Sequence, residues 1–423
     1  MSSTSTRVVI AGGGAGGLEL AVRLAGQPGI GVFLVDQSPT HIWKPRLHEM
    51  AAGARRGMVD EMEYAGLAER WGFVFVQGSL RDIAPDARRI ELDAMEDGEG
   101  HRVVGERELE YDVLVLAIGG VTPDLGVDGV TEHAFMLDRA EDAEALFSRL
   151  SLAALDATVG ECRDAMDTVI VGTGLTGVEL AAYLATDAQP AALAPRDARP
   201  RLRVTLVEAV DEFMPSMGET ERRAVRERLE DVGVTIRTGC QISRVAADHV
   251  ETDEGTRLDS RLTVWATGRV GPPIVDEIDA LQANDKRQWR VRKTLQSVDR
   301  RDIFALGDCA AVEGSEAPPT AQAASEQANH LARELPRYCA GQAPRAFEYR
   351  HKGTLMSLGA AGAVGRLRSG LGHDLQIRGR VAAAAYRGLE RQHEMVVLGR
   401  VRGSARMFKE LFSPQRGPRV KVH

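Results

Sequence analysis

The sequence predicts an α/β protein built on parallel sheets, and three observations predict it. Short β-branched runs alternate with stretches at helical spacing. Glycine is abundant, 44 residues in 423, and clusters at the junctions between such runs. One strand–glycine–helix–strand device occurs twice, opening at Gly12 and again at Gly172.

The first device fills residues 7–36: a strand at 7–11, a glycine-rich turn, a helix at 18–24, and a second strand at 31–35 that ends on Asp36. Gly12, Gly14 and Gly17 fit G-x-G-x-x-G, and Asp36 lies 19 residues beyond Gly17. In a Rossmann-like unit the first glycine permits the tight turn and the second lets a pyrophosphate approach the backbone. The third allows close packing of helix on strand, and the helix N-terminus adds amide donors. An acid at the end of the second strand accepts from a ribose diol.

The second device repeats the parts: a strand at 167–171, then Gly172, Gly174 and Gly177, a helix at 178–184, and a strand at 203–207 ending on Glu208. Its glycine-to-acid spacing is 31, stretched by a Pro/Ala/Arg-rich segment at 187–200 that reads as a surface insertion. Between the devices, 88–92, 102–104 and 111–116 read as short strands of a meander that crosses back to the first sheet. Apolar strands at 113–116 and 262–265 run into glycine turns at Gly119 and Gly268, and a strand at 301–306 delivers Asp308 at its carboxyl end. Open α/β sheets bind ligands at such ends. A helix is expected over about 320–335.

These elements divide the chain into a discontinuous first nucleotide domain (1–125 plus 295–345), a second (165–270) and a C-terminal region (346–423). The fold class is therefore α/β, two Rossmann-like dinucleotide-binding domains with a basic amphipathic helical tail. A mass of 45.8 kDa, 43% hydrophobic and 27% charged residues suit two or three globular domains and exclude fibrous or wholly disordered classes. The net charge of −8 argues against nucleic acid as a partner. Residues 366–423, however, hold 13 basic and 4 acidic side chains, a balance of +9 against −17 for the rest. Cys162, Cys240, Cys309 and Cys339 lie far apart with no CxxC, so no metal site or dithiol is written locally. No secretory signal and no run of 18 apolar residues is expected.

Over residues 7–365 the chain resembles the two-dinucleotide-binding-domain flavoproteins, and within them the type II NADH dehydrogenases. His41-Ile-Trp-Lys-Pro-Arg-Leu-His-Glu-Met resembles the family's loop beside the flavin ring. Residues 120–129 resemble the segment after the first domain's last strand. Pro318-Pro-Thr-Ala-Gln-Ala-Ala-Ser-Glu-Gln327 resembles its quinone motif, and residues 349–359 with the tail resemble its membrane-docking end. The resemblance implies FAD on Gly12, Gly14, Gly17 and Asp36, with Lys44, Gly119 and Asp308 nearer the flavin. It implies NADH on Gly172, Gly174, Gly177, Glu208 and Gly268. It also implies a non-proton-pumping ping-pong reaction that passes hydride from NADH to flavin and two electrons on to a quinone.

Glu208 favours NADH, because a carboxylate repels a 2′-phosphate. Glu179 matches the family's glutamate beside the nicotinamide, or is a helix-start acid complementing the dipole. Gln322 matches the quinone glutamine. Glu326, one turn on, stands where the family has Gln; it is either a proton relay or a solvated acid. Arg46 stands where an apolar residue is expected, and Ile118 where Thr is usual. Lys44 and Arg46 are flavin neighbours or solvated cations. Cys309 reads as a small buried hydrophobe.

In the tail, Val381, Ala385, Leu389, Val397, Val401, Phe408 and Phe412 fall near one helical stripe among arginines, with Gly399 as a break. Such a tail could lie on a membrane surface, placing the protein peripherally on the cytoplasmic face of the inner or plasma membrane, or pack on the body or in a homodimer. Two other functions fit the same motifs. One is a soluble NAD(P)H-dependent flavoprotein reductase with another acceptor, sulfide:quinone chemistry included; the other is a redox-responsive binding protein with negligible turnover.

Overall fold

A computed structural model describes residues 5–54, 61–159, 166–186, 202–368 and 374–399 of the chain. Its frame is a pair of five-stranded parallel sheets. The first runs Ile303–Ala305, Val113–Leu116, Thr6–Ala11, Ile30–Asp36, Val74–Gln77. The second runs Ala134–Phe135, Leu262–Trp265, Met166–Val171, Leu202–Val207, Thr235–Arg237. Val8, Val9 and Ile10 are all fully buried although successive side chains point to opposite faces, as in a sheet covered on both sides.

The two sheets are built alike down to single bonds. Gly12 N–H donates to Val35 O at 2.7 Å and Gly172 N–H to Val207 O at 2.8 Å. Ala117 N–H donates to Ala11 O at 2.7 Å, and Ala266 N–H to Val171 O at 2.8 Å. Each sheet has its own apolar core. The strand Ala134–Phe135 joins the second sheet from upstream of the segment the sequence pattern marks out.

Helix Ala15–Leu24 buries Leu18, Leu20, Ala21 and Leu24. It packs against helix Ala321–Cys339, which begins with Thr320 capping Ala323 N and extends four residues beyond the expected end. Gly16 lets the two helices approach closely, since a Cβ on it would lie 2.5 Å from Leu306 Cδ1 and 3.1 Å from Ala324 O. The meander comprises Leu80–Ala84, Arg89–Leu92 and Arg107–Glu110 in one antiparallel sheet, with Arg102–Val104 paired to Met95–Glu96.

The C-terminal region departs from expectation. Ahead of its helix stands an antiparallel sheet of Gly353–Ser357, Ala363–Arg368 and Asp374–Arg378. Helix Gly379–Val397 follows, and Gly399 beyond it has φ +72°. The proposed apolar stripe does not hold. Val381 and Val397 are sixteen residues apart, about 160° around a helix, and the first is exposed while the second is buried. The buried face carries Ala382, His393, Glu394 and Val397 instead. The Leu389 side chain, and Val401, Phe408 and Phe412 with the basic residues among them, lie outside the described residues, as does the insertion at 187–200.

Candidate nucleotide and acceptor site

Both glycine turns sit at the carboxyl ends of their sheets. Gly12 has φ +106° and Gly172 φ +107°, and a Cβ on either would meet the carbonyl oxygen of Ala117 or Ala266 at 2.3 or 2.5 Å. A Cβ on Gly17 would stand 1.9 Å from Gly12 O, and one on Gly177 2.2 Å from Gly172 O, so the third glycine of each turn is the packing glycine. Gly14 and Gly174 differ: a Cβ there meets nothing within 4 Å. Each turn is thus closed on its protein side and open at the middle glycine, a cradle suited to a pyrophosphate.

The strand-end acids brace these turns. Asp36 Oδ2 accepts from Gly13 N–H at 2.6 Å and Oδ1 from Ser38 N–H at 2.9 Å. Burial raises its pKa against the lowering effect of those two donors and of Lys44. Glu208 Oε2 accepts from Thr173 N–H at 3.1 Å and from the Thr173 hydroxyl, whose oxygen in turn accepts from Met214 N–H at 3.0 Å. Each carboxylate is held in place with lone pairs left over for a ribose.

Arg269 links segments that follow strands of both sheets. Its guanidinium donates to Asp308 Oδ2 at 3.0 Å, Asp138 Oδ1 at 3.2 Å and Gly120 O at 2.7 Å. Gly119 and Gly268, the strand-end turn glycines, have φ of +76° and +55°. Lys44 is solvent-accessible yet set among protein charges: its pKa is lowered by loss of bulk water and by Arg269, against the pull of Asp138, Asp308 and Asp36. Beside Asp308 a cavity of about 360 Å³ is lined by Gln288, Gly307, Thr320, Ala323 and Gln327. Gln327 Oε1 accepts from Gly307 N–H at 2.7 Å.

Gln322 and Glu326 share a helix face and a hydrogen bond, Nε2 to Oε1 at 3.2 Å. Glu326 also pairs with Lys352 at 2.9 Å and accepts from Arg350 N–H at 3.2 Å. It is neither the isolated buried acid of a relay nor a free solvated one; the carboxylate in place of Gln is matched by a cation from the following segment.

Glu179 is buried, not an exposed helix-start acid. It accepts from Ser357 N–H at 2.9 Å, and His48 Nδ1 stands 3.6 Å from its other oxygen. Burial pushes its pKa up to about 8, with Glu49 adding to the rise. The Tyr386 hydroxyl is close enough to lower it slightly, without completing a well-formed hydrogen bond. Burial drives His48 down to about 4, so both groups are neutral near pH 7. Arg46 is occupied by Glu49, Nε to Oε1 at 2.8 Å and a second nitrogen to Oε2 at 2.6 Å. An apolar residue there would take both of these bonds from the buried Glu49 carboxylate.

Cys309 is fully buried, donates to Leu306 O at 3.3 Å and has its thiol pushed up to about 12 by burial. Cys339 closes the helix that Gln322 opens, roughly 25 Å away at 1.5 Å per residue. Cys162 lies outside the described residues.

Residues 6–328 match the model of the pyridine nucleotide-disulphide oxidoreductase family. A type II NADH:quinone oxidoreductase of Haemophilus influenzae is 34% identical over 98% of this chain and 99% of its own. The chain belongs to the type II NADH:quinone oxidoreductase family. A demethylphylloquinone reductase of Synechocystis is 29% identical over 94% of the chain and 96% of its own. Among solved structures, NDH2 of Plasmodium falciparum in complex with NADH superposes with a TM-score of 0.82, at 16% identity, over 97% of this chain and 100% of that one. The sulfide:quinone oxidoreductase of Aquifex aeolicus superposes at 0.73 with 18% identity over 96% and 95%. Those two likenesses speak for the fold. Within this family frame, FAD and NADH are the cofactors, and the two open, acid-braced turns fit dinucleotides.

Sequence reasoning passed over several residues. Arg269 directly follows the Ala-Thr-Gly turn, and that position was a signal. His48 sits in the flavin loop with its Nε2 buried and without a hydrogen-bond partner among the described residues. The buried His41 and His393 meet only in three dimensions.

Proposed function

We propose that this protein oxidises NADH and reduces a quinone, and that its turns divide the cofactors as their order in the chain suggests: FAD on Gly12, Gly14, Gly17 and Asp36, NADH on Gly172, Gly174, Gly177 and Glu208. The carrying observation is the acid-braced glycine turn built twice, once per sheet, in a chain 34% identical over nearly its whole length to a type II NADH:quinone oxidoreductase. The corresponding domains are 1–125 with 295–345 for FAD, 165–270 for NADH, and 346–423 for the acceptor side.

FAD, when bound, would supply the ring that takes two electrons from NADH and passes them on to a quinone, a role no side chain of this protein can fill. The chain's own residues do the rest. Gly119, Asp308 and Lys44 line the flavin end, with Arg269 holding Asp308, while Gly268 and Glu179 border the nicotinamide. Conversion of NADH, H⁺ and quinone to NAD⁺ and quinol takes up one proton, and Glu179 holds one at pH 7. Gln322 offers an amide to a quinone carbonyl, with Glu326 and Lys352 as its polar backing. With FAD-loaded protein, NADH oxidation should be fast with a short-chain quinone and slow without it. Equal rates with and without quinone would overturn the reading.

Glu208 is read as the NADH selector. Glu208→Ala should narrow the ratio of kcat/KM for NADH over NADPH by about tenfold, the equivalent of one charge-assisted hydrogen bond. An unchanged ratio would remove Glu208 from the ribose site.

Docking on a membrane surface rests on the +9 balance of residues 366–423 and on Leu375, Val381 and Met395, large apolar side chains left exposed on the C-terminal sheet and helix. No helix among the described residues is long and apolar enough to cross a membrane. Removing residues 400–423 should reduce co-flotation with anionic vesicles severalfold. Undiminished flotation would sink the docking reading for this segment, and a dimer in sedimentation would point to a second copy as occupant of the exposed face.

A further inference from the structure

A buried chain of side chains runs from the C-terminal helix to the first glycine turn. Glu19, in helix Ala15–Leu24, accepts from His393 Nδ1 at 2.8 Å. His393 Nε2 meets His41 Nε2 at 3.0 Å, and His41 Nδ1 meets Gly13 O at 2.9 Å. All three residues are at most 2% exposed, and Trp43 lies over His393 with ring centroids 4.3 Å apart. Nothing in the reaction described above uses them.

The hydrogen bonds fix the protons. Gly13 O can only accept, so His41 Nδ1 carries a hydrogen. His41 is neutral, its pKa driven down to about 3 by burial and by His393, so its Nε2 must accept. His393 Nε2 is therefore the donor between the rings. Burial pushes Glu19 up, but the His393 bond and charge, Ser325 and Arg23 more than offset this and leave its pKa lowered. An ionised Glu19 can only accept, so the other His393 nitrogen carries a hydrogen too, and His393 donates at both ends with the carboxylate as its counter-charge. The remaining charged neighbours are Lys44 beside His41 and Asp36 beside Tyr64.

The far end of this chain governs a peptide plane. Gly13 O accepts from both His41 and the Tyr64 hydroxyl, the latter at 2.7 Å. In a trans peptide the Gly14 N–H points opposite to the Gly13 carbonyl. Two donors that draw the carbonyl inward therefore aim the Gly14 N–H the opposite way, away from His41 and Tyr64, at a residue whose own Cβ side is open. We infer that His393 is a positioning residue for the FAD phosphate turn: by fixing the His41 tautomer it orients the Gly13–Gly14 peptide, and so couples docking of the C-terminal helix to FAD binding. This rests on the reading that the Gly12–Gly17 turn holds FAD. Coupling of this kind is reciprocal, so FAD must also favour the docked helix.

The test is FAD affinity, from flavin fluorescence on reconstitution of apoprotein, together with ¹⁵N chemical shifts of the His41 ring. His393→Leu should weaken FAD about tenfold, as expected when a buried acceptor loses its donor. It should also shift His41 towards the tautomer protonated on Nε2. Glu19→Gln should stay within about threefold of wild type, because its amide can donate to a neutral His393 whose Nε2–H still reaches His41. Should His393→Leu not fold, Glu19→Leu against Glu19→Gln makes the same comparison. Gly14→Val tests the underlying reading: if it keeps FAD, the turn is not the FAD site. If Gly14→Val loses FAD while His393→Leu binds it as wild type does with the His41 tautomer unchanged, the positioning role is wrong.

Discussion

Gly12→Ala is expected to yield protein without FAD and with a markedly lower melting temperature. Two costs combine at this residue. A left-handed φ of +106° strains any side chain, by roughly 1–3 kcal/mol. The new Cβ would also lie 2.3 Å from Ala117 O and 2.8 Å from Ile118 Cα, both backbone atoms that no rotamer change can move. Forcing atoms into such a site costs about 1–3 kcal/mol more. Relief requires separating Thr6–Ala11 from Val113–Leu116 at the end where the turn forms. Gly14→Ala is the contrast, since its Cβ meets nothing within 4 Å. It should leave the melting temperature of the apoprotein within a degree or two of wild type and impair FAD alone. Absorbance at the flavin band and thermal unfolding of both variants check this. A flavin-loaded Gly12→Ala would show that the backbone yields more readily than the packing implies.

Glu179→Gln is expected to have the largest effect on turnover, a fall of about 10²-fold at pH 7, the scale of losing one positioned proton donor. Gln can still accept from Ser357 N–H but holds no transferable proton. Wild-type NADH oxidation should change through pH 8, where Glu179 ionises, and the variant should show no such break. Stability should move the other way. The folded pKa of about 8 lies above the ordinary 4.5, so the unfolded state releases this proton first as pH rises. The cost to the folded state is absent below about pH 4.5, grows to pH 8 and is then constant, on the order of 5 kcal/mol at about 1.36 kcal/mol per unit. Glu179→Gln should therefore melt like wild type at pH 4 and well above it at pH 9. Equal melting curves at pH 9 would contradict the buried neutral carboxyl.

What could be read from the sequence follows from where the physics is local. Strand, glycine turn, helix and strand-end acid lie within 30 to 42 residues of one another, and their spacing alone located both turns. Gln322 and Glu326 were placed on one helix face by their separation of four. Lys352, which pairs with Glu326, was invisible because it comes from a strand approach that no periodicity encodes. The alternative of Glu179 as a helix-start acid falls away on contacts that no local pattern shows: it meets Ser357 and His48, 178 and 131 residues away in the chain. The tail shows the limit of pattern reading most clearly. A stripe drawn over residues that straddle Gly399 mixed exposed Val381 with buried Val397, and the three-stranded sheet ahead of the helix has strands of only five and six residues.

The strand Ile303–Ala305 closes the edge of a sheet whose other members all precede residue 78 or lie at 113–116. During synthesis, therefore, the fully apolar strand Val113–Leu116 is made long before its outer neighbour exists. The interval is 189 residues, roughly 10 to 40 s at typical ribosomal rates of about 5–20 residues per second. For that time the nascent chain offers an unpaired, hydrophobic β-edge, the feature that most readily recruits a wrong strand. The second sheet waits about half as long: Leu262 is made 94 residues after its partner Thr168, and its outer neighbour Ala134–Phe135 already exists by then. The order of maturation on the ribosome is thus the reverse of the order of the two sheets in the chain.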